Sequence, residues 1–295
     1  MIVDNDLNTR QSVKNILHNN GYREIRLGRN LGNVREILGK SMPDLLICSC
    51  DLPDGDFLSY IREIRQGTAG NNPFLPIITL VETPTPELVS RIIESGTDTV
   101  IAKPISTAQL LDRIDDIIEA RKKFVVSDSY IGPMRRKDQA LRGVEPPNLL
   151  RAKAEGQKLS FAEVEAMISG ALGKMKSLKI DVLGTQISSH ITNLVPMLER
   201  SGRLDPTIRQ ELLGLLDITD NSKEKLAGTA YEHVVELCDS IGNVASAILA
   251  ARGGVPDPRD IKLLKPLSQA VQACFSGAIT NAQQVSAIVR QIGAR

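Results

Sequence analysis

The sequence predicts an α/β domain, a doubly wound five-stranded parallel sheet, followed by an all-α helical bundle domain. Three observations carry this. Over residues 1–122, short apolar runs bounded by Gly, Pro and Asp alternate five times with segments whose apolar residues step by threes and fours. Residues 123–158 have little helical period and are punctuated by Gly132-Pro133, Gly143 and Pro146-Pro147, which reads as a linker. From residue 159 to 295 no strand-like alternation remains, only helical spacing.

The elements follow in order. Ile2 and Val3 open a short strand that runs into the acidic turn Asp4-Asn5-Asp6. A helix with Val13, Ile16 and Leu17 on its apolar face comes next, then a weak strand at Ile25 to Leu27 and a short helix over Val34 to Leu38. Leu45 to Cys50 is apolar at nearly every position, the pattern of a strand covered on both faces. Asp56 is placed to cap the helix carrying Leu58, Ile61 and Ile64. Pro76 to Val81 is the fourth strand, and the helix from Pro86 to Ser95 stops at Gly96. Thr99 to Ala102 is the fifth strand, ending in Lys103-Pro104, and Ser106 starts a helix with Leu110, Leu111, Ile114 and Ile117.

Bulk properties narrow the function. A chain of 295 residues with 42% hydrophobic and 24% charged residues fits two globular domains. Nine aromatic residues, none of them Trp, argue against a sugar-binding cleft or a base-stacking surface. A formal charge of +1 predicts no strong overall pull toward nucleic acid or membrane. No apolar run reaches the ~18 residues of a membrane span. The opening MIVDNDLNTR reads as a strand and lacks the apolar region of a signal peptide, so the expected location is the cytoplasm. The four cysteines lack metal-ligand spacing and read as small buried hydrophobes.

In order and at the right separations stand V-D-N-D-x-x-x-R at 3–10, P-D-L-L-I-C-S-x-x-x-P at 43–53, P-I-I-T-L-V-E at 76–82 and A-K-P at 102–104. With them, residues 1–122 resemble the receiver domain of two-component response regulators. The resemblance implies phosphoryl transfer onto a strand-end aspartate: two further acids hold a divalent cation, and a hydroxyl and a lysine bind the phosphoryl oxygens. Carried over, Asp4 keeps one metal-binding acid and Lys103 keeps the phosphate-pairing ammonium. Asn5 stands where the second acid belongs, Ser49 where the nucleophilic aspartate belongs, and Val81 where the hydroxyl residue belongs, followed by Glu82 in place of a small residue.

These changes have a size. A hard divalent cation favours anionic oxygens. Asn5 and Ser49 remove two carboxylates, each worth a few kcal/mol at close range even at an effective dielectric of ~20. A serine hydroxyl without an adjacent base is a weak nucleophile. The expectation is a degenerate receiver with no metal, no cofactor and no aspartyl phosphorylation, in which Lys103 pairs with Asp4. A rescue would need Asp51 or Asp6 to rebuild an acidic cluster with Asp4; otherwise Asp51, Asp54 and Asp56 serve turns and helix caps.

The linker is basic, with Arg121, Lys122, Lys123, Arg135, Arg136, Lys137 and Arg142. It reads as solvated, with Phe124, Val125, Tyr130 and Ile131 packing on a neighbouring domain, and an anionic partner as the alternative. In the helical half Ser160 and Glu163 form a capping box. Phe161, Val164, Ile168, Ala171, Met175, Leu178 and Val182 make a narrow seam, resumed by Leu183, Ile187, Ile191, Leu194 and Leu198 to Gly202. Asp205-Pro206 caps a short helix with Leu212 and Leu216, Asp220 opens the next through Tyr231 to Ile248, and a last helix runs from Arg259 to Ile292 with Pro266 near its start. Such seams predict bundle packing and a homodimer. His190, in S-S-H-I-T-N-L-V-P, resembles the phosphotransfer histidine of sensor-kinase dimerisation helices, with Asn193 beside it, although no acid adjoins it and the proline is one position off. His233, between Glu232 and Glu236, reads as a surface residue. The favoured expectation is a non-enzymatic signalling adaptor whose partners are other signalling proteins, with neither membrane nor nucleic acid among them. The alternative is a histidine phosphotransferase or receiver phosphatase in the helical half.

Overall fold

The computed structural model describes residues 1–127, 130–135 and 143–293, and divides into two compact units, residues 1–176 and 177–295. The elements of the first are β1 (Ile2–Val3), α1 (Leu7–Asn19), β2 (Leu27–Gly28), α2 (Leu31–Lys40), β3 (Leu46–Ser49), β4 (Asp51–Leu52), β5 (Gly55–Asp56), α3 (Phe57–Gln66), β6 (Ile77–Val81), α4 (Pro86–Glu94), β7 (Thr99–Ala102), α5 (Thr107–Ala120), β8 (Phe124–Val126), β9 (Ile131–Pro133) and α6 (Leu149–Ala154). The central sheet is five-stranded and parallel throughout, in the order β2-β1-β3-β6-β7. β4 and β5 form a small separate hairpin.

The uninterrupted apolar run in β3 is explained by cover on both sides. Leu46 and Cys48 pack with α2, α3 and Ile92 of α4, while Ile47 faces the opposite layer with Val13, Leu17, Leu110 and Ile114 from α1 and α5. Asp6, Asn30, Asp56, Thr85 and Ser106 each cap the helix that follows with a side-chain oxygen.

The described residues between 123 and 158 pack as ordered structure and not as a solvated linker. β8 and β9 pair as an antiparallel hairpin, and Val144 bridges to Phe124 through both of its backbone groups. Phe124 is 1% exposed, edge-on to Phe74 with ring centroids 5.3 Å apart. The guanidinium carbons of Arg65 and Arg121 lie 5.0 and 5.5 Å from its ring centre. Asn148 donates to the carbonyls of Ile117 and Ile118 at the end of α5 and caps α6, whose Leu150 joins the core beneath α1 and α5. The segments are too short to show a period, and their apolar residues find partners only in the folded sheet.

Among the described basic residues here, Arg121 and Arg135 are engaged in structure, as is Arg65 of α3. Arg65 and Arg121, 1% and 4% exposed, share the carboxylate of Asp98, at 2.9 and 3.4 Å. Arg65 also donates to the carbonyls of Gly96, Pro73 and Leu75, and Arg121 to those of Phe74 and Pro147. Arg135 donates to the carbonyls of Thr97 and Asp98, and Lys123 pairs with Glu145. Burial pulls Arg65 down to about 10, opposed by Asp98, so it stays charged at neutral pH. Arg136, Lys137 and Arg142 lie outside the described residues.

The second unit begins within α7 (Phe161–Ser201), whose start carries the Ser160–Glu163 capping box. It continues with α8 (Pro206–Leu226), α9 (Val235–Leu249), α10 (Pro258–Phe275) and α11 (Ala282–Gly293). Ile187, Ile191, Leu194 and Leu198 join Leu212, Leu215, Ile241, Ile248, Leu264, Val271 and Val285 in one core. Three boundaries differ from the sequence reading. Asp220 lies inside α8, which continues because Thr219 and Ser222 bond the carbonyls of Leu216 and Ile218 and so can be buried; the break comes at Gly228, with φ 67°. The last helix is two, because Gly277 takes φ 80°, Ala278 N–H closes on Ala273 and Asn281 caps α11. Pro266 consequently falls in the interior of α10.

All four cysteines are thiols, and burial raises each. A chain with Phe124→Ala should lose about 3–5 kcal/mol of the first unit's stability, as for other fully buried aromatic residues. Urea unfolding followed by circular dichroism measures this, and a fragment ending at Lys122 should unfold at lower urea than one ending at Gly156.

Candidate functional site

Register aligns the carboxyl ends of all five strands. Val3 pairs with Gly28 and Cys48, Ser49 with Leu80, and Val81 with Ala102. Asp4, Ser49, Val81 and Lys103 therefore share one rim of the sheet, the place where open parallel sheets bind ligands.

Asp4 is fully buried. Its Oδ1 accepts from the backbone N–H of Asp6 at 2.9 Å, and its Oδ2 lies 2.7 Å from Lys103 Nζ. Lys103 is 12% exposed, so its ammonium is largely shielded from solvent. Arg10 Nη1 donates to the carbonyls of Asp4 and Asn5 at 2.6 and 3.1 Å, which fixes the turn that presents Asp4. Ser49 and Val81 are buried at 3% and 1% exposure, and Asn5, Asp51 and Glu82 are exposed. Beneath the rim, the Cys48 thiol is raised well above its ordinary value by burial first and by Asp4 second.

The neighbouring aspartates have other work. Asp6 accepts from Thr9 N–H and Thr9 Oγ1, both at 2.7 Å, as the cap of α1. Asp54 accepts from the N–H groups of Leu31 and Gly32 at 2.6 and 2.8 Å, tying the loop after β3 to the start of α2. Gly55 lets that loop close, since a Cβ there would sit 2.7 Å from Leu31 Cδ2. Asp56 caps α3, and Asp51 faces Asp56 in the β4–β5 hairpin. Among the described residues no three His, Cys, Asp or Glu side chains converge as a metal site. The one buried carboxylate at the rim already faces an ammonium, so these residues do not fit a hard divalent cation.

The first 115 residues match the family model of the response regulator receiver domain. This stretch is a receiver domain. The chain is 23% identical over 128 residues to the phosphate regulon transcriptional regulatory protein PhoB of Escherichia coli, covering 43% of this chain and 55% of that one. It is 24% identical over 178 residues to the response regulator protein PilR of Pseudomonas aeruginosa, covering 60% and 37%. The chain thus spans about half the length of PhoB and about a third of PilR. Solved receiver domains from Syntrophus aciditrophicus and Methanospirillum hungatei are 26% and 23% identical, each over 39% of this chain and 84% and 88% of theirs, with TM-scores of 0.35. Among the described residues no helix is long and apolar enough to cross a membrane.

In the helical half, His190 Nδ1 lies 3.1 Å from Glu211 Oε2 of α8, and Asn193 is exposed on α7. His233 is not a plain surface residue: it is half-buried, its ring stacked 6.3 Å from that of Tyr231, with Nε2 enclosed. Sequence reasoning missed Glu211, the clamping role of Arg10 and the Arg65–Asp98–Arg121 network. Only the arginine in V-D-N-D-x-x-x-R carried any signal; the other partners are 21 to 33 positions apart.

Removing one partner of the rim pair leaves the other charge unanswered. Lys103→Ala strands a fully buried carboxylate and should cost about 3–5 kcal/mol. The double variant Asp4→Asn, Lys103→Met should recover part of that loss in denaturant unfolding. Asp54 gives a pH signature. The N–H groups of Gly32 and Leu31 hold its carboxyl below the ordinary range, so its contribution is present above the unfolded-state value and lost as pH falls through the folded one. Between about pH 5 and pH 2 the parent chain should lose more stability than Asp54→Asn.

Proposed function

We propose that the chain is a two-component signalling adaptor whose receiver domain works without aspartyl phosphorylation. Its partners are other signalling proteins, and its helical half binds a second copy. The observation that carries this is the Asp4–Lys103 pair at 2.7 Å, beside Ser49 at the position where the receiver family has its nucleophile. The ammonium that would meet a phosphoryl oxygen is neutralised internally, and Val81 offers no hydroxyl. With no charge to gain at the rim, the domain has one resting arrangement, which suits a constitutive docking surface. Favouring a second copy is the groove of about 1130 Å³ between α10 and α11, where Leu263, Ile288 and Ile292 lie beside the charged Arg259, Asp260 and Lys262. A salt-sensitive nucleic-acid role for the basic stretch is disfavoured by the engagement of Arg121 and Arg135 in carbonyl contacts.

The full chain incubated with acetyl phosphate and magnesium should gain no hydroxylamine-sensitive phosphoryl group by intact mass. A gain that disappears in Asp51→Asn overturns the reading. Light scattering should give twice the chain mass, reduced to one chain by Ile288→Lys.

A further inference from the structure

A cavity of about 280 Å³ lies at the amino end of β7, beside α5 and β9, at the opposite end of the strand from the Asp4–Lys103 rim. β7 is an outer strand of the sheet, so no further strand of the sheet closes this side. Ile117, Ala120 and Pro133 give the cavity apolar walls, and Arg113, Arg121 and Lys122 bring three cations to it. Asp98 and Asp116 line it as well.

The two carboxylates do not cancel the cations. Asp98 is shared between Arg65 and Arg121. Asp116 meets Arg113 at 3.1 Å in a pair whose side chains are 66% and 48% exposed, which is a weak hold. Among the described residues Lys122 forms no ion pair. Arg135, close enough for its charge to act on Lys122, is engaged with the carbonyls of Thr97 and Asp98. Five cations thus face two carboxylates, an excess of three positive charges. The crowding is felt at Lys122, whose ammonium is held below its ordinary value by desolvation first and by Arg135 second, against the pull of Asp116 and Asp98. Other acids of α5 act elsewhere: Asp115 on Tyr22 and Glu119 on Arg151. The carbonyl end of α5 would repel an anion, but Asn148 covers it by donating to Ile117 and Ile118.

We propose that this cavity binds a small organic phosphate, a dianion carried on a compact apolar group. Arg121 has spent its donors on Asp98, Pro147 and Phe74 and supplies charge alone. Arg113 and Lys122 are exposed at the mouth and can turn their donors to the phosphoryl oxygens, an arrangement suited to a tetrahedral dianion. The apolar group rests on Ile117, Ala120 and Pro133. The volume falls just under the range of about 300–1,000 Å³ found for drug-sized ligands, so the ligand is small. Bound there, it would tie α5, β7 and the β8–β9 hairpin together. The inference is independent of how the rim is read, because this binding is reversible and forms no covalent phosphoryl group.

The test is calorimetric titration of the full chain with phenyl phosphate, inorganic phosphate and phenol. Phenyl phosphate should bind saturably at millimolar concentration or below, about tenfold tighter than inorganic phosphate because of the apolar walls, and phenol should not bind. Lys122→Gln and Arg113→Gln should each weaken phenyl phosphate about tenfold, and Lys122→Arg should retain most of the affinity. Ala120→Phe should block binding by filling the cavity with every cation in place. The double variant Lys40→Gln, Lys153→Gln removes as much charge from side chains that are 73% and 62% exposed elsewhere, and should bind as the parent does. Thermal unfolding midpoints within a few degrees of the parent's show that each variant is folded. No saturable binding of phenyl phosphate overturns the proposal, as does parental affinity in Ala120→Phe or an equal loss in the Lys40, Lys153 double variant. Retention of an oligonucleotide without binding of phenyl phosphate also overturns it, by making the region a polyanion surface.

Discussion

A single buried carboxylate held by a single, partly exposed ammonium governs the rim of the receiver sheet. Asp4 is fully enclosed, and a carboxylate in that setting persists as an anion only with a charge partner and a hydrogen-bond donor; Lys103 and the N–H of Asp6 are those groups. Everything nearby is arranged to keep this geometry. Arg10 fixes the turn that carries Asp4, Asp6 is committed to the start of α1, and Asp54 is committed to the start of α2. Asn5 and Ser49 carry no charge, so Asp4 is the buried carboxylate at the rim that meets Lys103.

The other end of the same strand is anchored by the opposite charge pattern. Asp98 immediately precedes β7 and answers Arg65 and Arg121, while Lys103 immediately follows β7 and answers Asp4. One carboxylate for two guanidinium groups leaves an excess positive charge, which is spread over the backbone carbonyls of Gly96, Pro73, Leu75 and Pro147 and the face of Phe124. The hairpin of β8 and β9 supplies that aromatic face. It is therefore part of the receiver's stability.

The parallel sheet was legible because burial on both faces writes an unbroken apolar run, and because caps such as Asp56 and Ser106 are local. The gathering of Asp4, Ser49, Val81 and Lys103 at one rim was legible because strand-end residues have fixed positions relative to the runs. Phe124, Val144 and Leu150 were not legible as core, since runs of two or three apolar residues beside Gly and Pro have no period to read. Asp220 misled for the opposite reason: it is an exposed acid in mid-helix, paired with Lys223, and the residues that carry the helix past it are the buried Thr219 and Ser222, whose hydroxyls satisfy themselves on their own helix. Glu211 was invisible as a partner of His190 because their proximity is created by the packing of α7 on α8.

The anchoring of β7 at both ends bears on how a signal could pass through this domain. The strand is four residues long, roughly 13 Å at about 3.3 Å per residue, and both of its ends terminate in enclosed ion pairs. Shifting β7 along its axis would pull Lys103 from Asp4 or Asp98 from its two arginines, each a loss of several kcal/mol with no compensating charge at the rim. A receiver that switches needs two arrangements close in energy. The ion pairs that favour this arrangement sit at both ends of the strand, and the proposal of a fixed docking surface rests on that anchoring.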